Sequence, residues 1–256
     1  MKQYFKLALP NGFDFHTGKT INYREAIGKT VSVKKEYAKQ AAELCSPTVI
    51  HASEKINDCF VGAKIPCSAY IVTGKPVVSD EKKCGFRTLK VLEEIPRSDF
   101  NEVFGFNILE TENPINPLKL NAPQVGEEQI RLLRAWALVW ASVGALVWAS
   151  VGASVEASVE ASVGDSVGAL VWALVGASVG ASVWASVRDS VYAYIGSLFP
   201  KIEKWRFLGK QVEAYPFQPA VRLWQVGLVP SYDGKVWRLH AGEKAKIVYE
   251  LKKEEK

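Results

Sequence analysis

Apolar and polar residues alternate in short runs over the first third of the chain. Lys2–Leu9 has the two-residue alternation of a strand, and Pro10-Asn11-Gly12 ends it as a turn. Val33–Cys45 reads as a helix: Tyr37, Ala41 and Leu44 recur at helical spacing among Lys, Glu and Gln. Ser46-Pro47 stops it, because a residue before proline is pushed out of the helical region. Thr48–Ala52, Ser68–Thr73, Pro76–Ser79 and Phe86–Glu93 follow as strands, with Gly74-Lys75 as a two-residue hairpin turn. Phe100–Leu109 reads as one more strand and the proline-rich Asn113–Pro123 as a linker. In Val125–Arg134, Ile130, Leu132 and Leu133 lie among Glu127, Glu128, Arg131 and Arg134, which is the pattern of a short amphipathic helix.

The pattern then becomes strictly periodic. Trp136–Val191 is fourteen consecutive four-residue units of x-Ala-Ser-Val type, from WALV to RDSV, with no slip in register. Four residues advance an α-helix by about 400°, so in one long helix the valine column would drift about 40° per unit and no fixed face would stay buried. Glycine heads many of the units, and it opposes helix by about 1 kcal/mol each. A membrane hairpin is the second reading. Ala135–Val155 and Val167–Val187 are uncharged, and Glu156, Glu160 and Asp165 would form its turn. Small residues four apart suit helix packing in lipid, but serine and glycine leave both runs only mildly apolar.

In an extended segment, Ala and Val share one face, and the x residue and Ser the other. Coiling such segments buries the Ala/Val face. The expected architecture is therefore a central β-solenoid built from tetrapeptide repeats, which resembles the pentapeptide-repeat pattern with each side shortened by one residue. Read every twelve residues, one x column gives Trp136, Trp148, Glu160, Trp172 and Trp184. Trp136, Trp148, Trp172 and Trp184 are thereby the candidate binding residues, as an exposed tryptophan ridge that a partner would cover.

After the repeat, the bulky residues of Tyr192–Phe199 read as a cap. Lys204–Leu208, Ala220–Val226, Lys235–His240 and Lys246–Leu251 read as strands, with turns at Tyr232-Asp233-Gly234-Lys235 and Ala241-Gly242. Trp224, Trp237, Leu239 and Val248 are expected on one side of this meander, and Lys252–Lys256 should fray. The chain is thus expected to be mainly β with an α+β head. Its domains are a head at 1–126, a capping helix plus solenoid at 127–199, and a small β tail at 200–256.

Composition changes this picture little. The 256 residues carry a formal net charge of +5, with the repeat at −3 and residues 200–256 at +5. No dense basic stripe of the kind nucleic acid requires is present, so no nucleic-acid partner is expected. MKQYFKLALPNGFDF lacks the long apolar run of a signal peptide, which points to the cytoplasm, and Cys45, Cys59, Cys67 and Cys84 are expected as reduced thiols. With His51 they could assemble a zinc site, but their spacings fit no common zinc pattern, and no metal is expected. The dinucleotide, Walker and HExxH motifs are absent, and no cofactor is expected.

Two enzymatic arrangements remain open in the head. His51, Tyr70 and Glu93 could take the parts of an ADP-ribosyltransferase-like site, and His51 with Cys45 or Cys59 those of a nucleophile–base pair. The plainer expectation is that His51 packs beside a strand and that Ser53-Glu54 begins a turn or cap.

Three stretches carry a resemblance. His16-Thr17-Gly18-Lys19, Cys45–Ser53 and Val72–Lys83 resemble an uncharacterised domain common in phage, prophage and environmental genomes, with Val49-Ile50 where that pattern has glycine before the histidine. The tail LWQVGLVPSYDGKVWRLHAGEKAKIVYE, Leu223–Glu250, is similar to the tail of the same phage-type repeat proteins and is the more specific match. The expected function is that of a non-enzymatic structural or interaction protein, and the resemblance, to a family without an assigned activity, implies a phage or mobile-element origin and with it the host cytoplasm. Its partner would be a protein or a glycan, and self-association would run through the solenoid's ends or faces. The alternatives are the ADP-ribosyltransferase-like head and a membrane-inserted repeat hairpin.

Overall fold

The computed structural model of the chain describes residues 2–143, 146–158, 164, 167–169, 171–173, 181–206 and 214–251, without the side chains of 157–158 and 181–186. The chain divides into two compact units, Met1–Phe104 and Gly105–Lys256. The described residues form three small antiparallel sheets together with helices.

In the first unit, β1 (Gln3–Ala8), β2 (Thr30–Ser32), β4 (Ser68–Thr73) and β7 (Thr88–Glu94) form one sheet in the order β1-β4-β7-β2. A second sheet is ordered β3-β6-β5, from β3 (Ile50–Ala52), β5 (Pro76–Ser79) and β6 (Cys84–Phe86). Tyr4, Tyr23, Tyr70, Val72, Phe86, Leu89 and Val91 fill the core, with Tyr4 edge-on to Phe86 at 5.0 Å. The expected turn after β1 is present: Gly12 has φ +89°, and a Cβ there would lie 2.6 Å from Asn22 Oδ1.

Asp14 organises the loop that follows. It accepts hydrogen bonds from the Thr17 N–H (2.7 Å) and hydroxyl (2.9 Å), the Thr20 N–H (3.1 Å) and the Ile21 N–H (3.2 Å). Burial pushes its carboxyl pKa up, but these donors outweigh burial and hold it below the usual value. Its stabilisation is therefore present above the ordinary aspartate pKa and lost as pH falls through the lower, folded one.

Three head expectations need correction. The helix expected over Val33–Cys45 shrinks to Lys35–Ala38, none of it buried. The Arg87 guanidinium donates to the carbonyls of Tyr37 (3.0 Å) and Gln40, acceptors that a continuing helix would use, and to that of Thr48 (2.6 Å). Gly74-Lys75 is not a hairpin turn, because β4 pairs with β1 and β7 while β5 pairs with β6. Gly74 instead lets the chain cross between sheets, where a Cβ would stand 2.9 Å from the Thr88 carbonyl. Phe100–Leu109 is not a strand. It holds the helix Phe100–Phe104 and the start of Ile108–Glu112, separated by Gly105 at φ +79°. Phe100 and Phe104, four apart, pack on each other at 5.3 Å.

The largest correction concerns the repeat, whose described residues are helical rather than a β-solenoid. Among the described residues, Glu127–Val143, Val147–Ser158 and Ala181–Ser197 are α-helices, and 167–169 and 171–173 are helical too. The 40° drift rules out one long helix with a fixed buried face, but it does not forbid several short ones. Across Val147, Val151 and Val155 the drift totals about 80°, within the width of one apolar stripe. All three valines are buried, as are Val167, Val171, Val187 and Val191. Burying a valine is worth about 1.5 kcal/mol or more, whereas the helical glycine at 152 costs about 1 kcal/mol, so burial wins.

Three of the serines expected on an outer face are also inside, while Ser142 is exposed. Ser150, Ser154 and Ser190 are buried. The Ser150 hydroxyl donates to the Arg206 carbonyl, Ser154 Oγ accepts the Arg206 N–H at 2.8 Å, and Ser190 donates to the Pro230 carbonyl at 2.7 Å. The repeat thus binds its own surroundings through serine rather than through a ladder along a stack.

The tail is part meander, part helix. β8 (Val229–Tyr232), β9 (Trp237–Ala241) and β10 (Lys246–Leu251) are ordered β10-β9-β8. Asp233-Gly234 turns between β8 and β9, with Asp233 Oδ1 accepting the N–H groups of Lys235 and Val236. Ala220–Val226, expected as a strand, lies largely in the helix Gln218–Gln225, which buries Ala220, Val221, Leu223 and Trp224. Trp224 therefore lies off the meander, and a register shift between Ile247 and Tyr249 leaves Val248 exposed. Lys204–Arg206 is not strand; residues 207–208 of that expectation lie outside the described residues, as do Glu160, Asp165 and Lys252–Lys256.

The proline-rich stretch expected as a linker is packed. Ile115 donates its N–H to the Tyr194 hydroxyl (2.9 Å) and accepts from Trp224 Nε1 (3.0 Å), and Leu118 is buried. Among the described residues no single helix is long and apolar enough to cross a membrane. Glu127–Val143 and Val147–Glu156 meet that test only as a pair, bent by 76°.

Candidate binding cleft

The three described tryptophans of the expected ridge, Trp136, Trp148 and Trp172, do not form one exposed row. Trp136 is buried, edge-on to Phe217 and Trp237, both at 6.3 Å. Trp148 is 41% exposed and carries the Arg188 guanidinium 5.2 Å from its ring. Trp148 and half-buried Trp172 meet on Tyr192, at 6.5 and 5.7 Å. The Trp184 side chain lies outside the described residues. A fifth tryptophan, Trp140, donates through Nε1 to Asp189 at 2.7 Å. Burial raises the Asp189 carboxyl pKa despite that bond, the nearby Arg188 charge and the Trp148 N–H.

The enzymatic arrangements of the head are not assembled. Tyr70 pairs with Glu94, while Glu93 pairs with Ile71 and so lies on the opposite face of the sheet from Tyr70. His51 sits in the other sheet, on β3. Its Nε2 accepts the backbone N–H of Cys45 at 2.9 Å and so is not directed at a thiol proton. Burial, with the Lys6 and Lys83 charges, pulls the His51 pKa down to about 4. Cys59 donates its thiol to the Phe5 carbonyl at 3.2 Å, and burial pushes that thiol pKa up. Among the described residues no group of three or more His, Cys, Asp or Glu could hold a metal ion.

In the tail, Ser231 Oγ and His240 Nε2 lie 2.7 Å apart, and His240 Nδ1 is 2.9 Å from the Ala245 carbonyl. That carbonyl can only accept, so Nδ1 carries the proton and Nε2 accepts from serine. The pair has the order of a nucleophile, base and orienting group, but both side chains are buried and serve to close the β9–β10 turn.

A cleft of about 790 Å³ opens where the Ala181–Ser197 helix ends. Gly196, Ser197, Phe199, Pro200, Ile202, Glu203, Trp205, Ala214, Tyr215 and Gln218 line it. The Tyr215 hydroxyl donates to the Ala193 carbonyl, and burial holds its pKa well above the ordinary value, so the hydroxyl stays a neutral donor. Gly196 makes the approach possible, since a Cβ there would meet Tyr215 Oη at 2.3 Å and Trp205 at 3.2 Å. Trp205 stands edge-on to Tyr215 at 5.1 Å, and Phe217 backs both rings at 6.1 and 5.4 Å. Phe217 in turn contacts Trp136, which ties the aromatic wall to the repeat.

The cleft therefore offers partly exposed aromatic faces beside the Glu203 carboxylate and the Gln218 amide. Its volume lies within the range of small-molecule sites. None of its residues stood out from the sequence, because no spacing links Trp205 to Tyr215 or either to Gly196. No family model matches the chain, and neither a curated protein nor a solved structure matches it.

Proposed function

We propose that the protein is a non-enzymatic binding protein that takes a saccharide in the Trp205–Tyr215 cleft, with the repeat helices as its scaffold. The carrying observation is the pair of partly exposed aromatic rings, fixed edge to face at 5.1 Å, beside a carboxylate and an amide. The apolar C–H face of a sugar ring stacks on such aromatics, and its hydroxyls pair with Glu203 and Gln218. Tyr and Trp suit this role because they combine a large apolar face with a polar tip. The tail's likeness to phage-type repeat proteins supports a mobile-element setting. Four free thiols suit the reducing cytoplasm.

Saturation-transfer NMR against soluble cello-, malto-, chito- and xylo-oligosaccharides tests the proposal. At least one series is expected to bind, and Trp205→Ala is expected to weaken it about tenfold, or ~1.4 kcal/mol. Failure of every series to bind, or unchanged binding by the variant, would refute it.

A further inference from the structure

Three segments of the head converge on one exposed thiol. Cys45 lies in the loop before β3, at φ +60°, a left-handed conformation that L-residues with a Cβ rarely hold. The His51 ring holds it there by accepting the Cys45 N–H. Lys83 arrives from the turn before β6. Asp80 Oδ1 shapes that turn by accepting the N–H groups of Lys82 (2.8 Å) and Lys83 (2.6 Å), and the Asp80 N–H donates to the Lys83 carbonyl at 2.9 Å. Lys83 Nζ comes to rest 3.0 Å from Cys45 Sγ. β3 and β6 are paired strands, and the loop that carries Cys45 and the turn that carries Lys83 lead into them.

We propose that Cys45 and Lys83 are an oxidation site at which dioxygen joins the sulfur and the nitrogen through a single bridging oxygen. One S–H and one N–H bond break, and one S–O and one O–N bond form. One oxygen atom stays in the bridge and the other leaves as water with the two released hydrogens. Sulfur and nitrogen each give up two electrons, which together supply the four that dioxygen takes. Two equivalents of a dithiol return those electrons, restore thiol and amine, and release the bridge oxygen as water. The product staples the 39–48 loop to the turn before β6 and makes the head responsive to redox state.

The site rests on the pair and not on the cysteine alone. Cys67 and Cys84 are buried, and Cys59 is turned toward a carbonyl, so the same chain carries three internal controls. His51 has a positioning part only, through the backbone of Cys45.

The test exposes the full chain to air-saturated buffer and follows intact mass and peptide maps. The expected product gains one oxygen, loses two hydrogens, and joins the Cys45 peptide to the Lys83 peptide. Dithiothreitol should remove it, and Cys45→Ser and Lys83→Gln should abolish it while leaving the melting temperature unchanged. Three results would overturn the proposal. They are oxidation of Cys45 to its own acids or to an intermolecular disulfide with Lys83 unmodified, the same mass change in Lys83→Gln, and four thiols left free under exposure that fully oxidises glutathione.

Discussion

Ser150→Asp is expected to unfold the second unit, whereas Ala141→Asp is expected to change its stability by about 1 kcal/mol or less. Ser150 is wholly buried and donates to the Arg206 carbonyl. A carboxylate there would have no proton to give and would face that carbonyl in a dry site. Burying an unpaired charge is among the few single changes that reach about 4–5 kcal/mol, a large part of a domain's stability. Ala141 lies on the exposed side of the Glu127–Val143 helix, where a charge stays hydrated. A coil of strands would give the reverse order, with the alanine column inside and the serine column outside. Urea unfolding of the two variants distinguishes the arrangements.

Trp224→Ala is the second large effect, expected at about 3–5 kcal/mol by urea titration. Trp224 is fully buried, stacks on Tyr194 with ring centroids 5.2 Å apart, and donates to the Ile115 carbonyl at 3.0 Å. The substitution removes the ring and leaves that carbonyl without its partner. Trp224→Phe should restore most of the stack and retain a deficit of about 1 kcal/mol for the lost hydrogen bond. Equal losses in both variants would show that the Ile115 contact, rather than packing, dominates.

Much of the head was legible because short strands bounded by proline and glycine have few other readings. Ser68–Thr73 and Pro76–Ser79 appear at their expected bounds, as does Lys246–Leu251 in the tail. Their partners were not legible, since pairing depends on crossings such as the one Gly74 permits. The helix at Gln218–Gln225 is marked in the sequence at both ends. Pro219 opens it, and Gly227 at φ +87° closes it with the paired bonds from Leu228 N–H to the Leu223 carbonyl and from Gly227 N–H to the Trp224 carbonyl.

The repeat misled for a different reason. A period of four is a multiple of the strand period of two and is close to the helical 3.6, so the pattern alone does not choose between them. The choice turned on whether one helix had to run the whole length. It does not, because the chain changes direction between Val143 and Val147, before the drift carries the valines off the core. The cleft and the Cys45–Lys83 pair were beyond a local reading altogether. Each joins residues that only the folded backbone brings together, across Gly196 in one case and between the loop before β3 and the turn before β6 in the other.

The central claim is that the tetrad repeat folds as short packed helices that support the cleft. Backbone Cα chemical shifts of the isotope-labelled full chain test it most directly. The account predicts unbroken positive deviations from random-coil values through Val147–Ser158 and Ala181–Ser197. Negative deviations through those same residues, the signature of extended backbone, would contradict it.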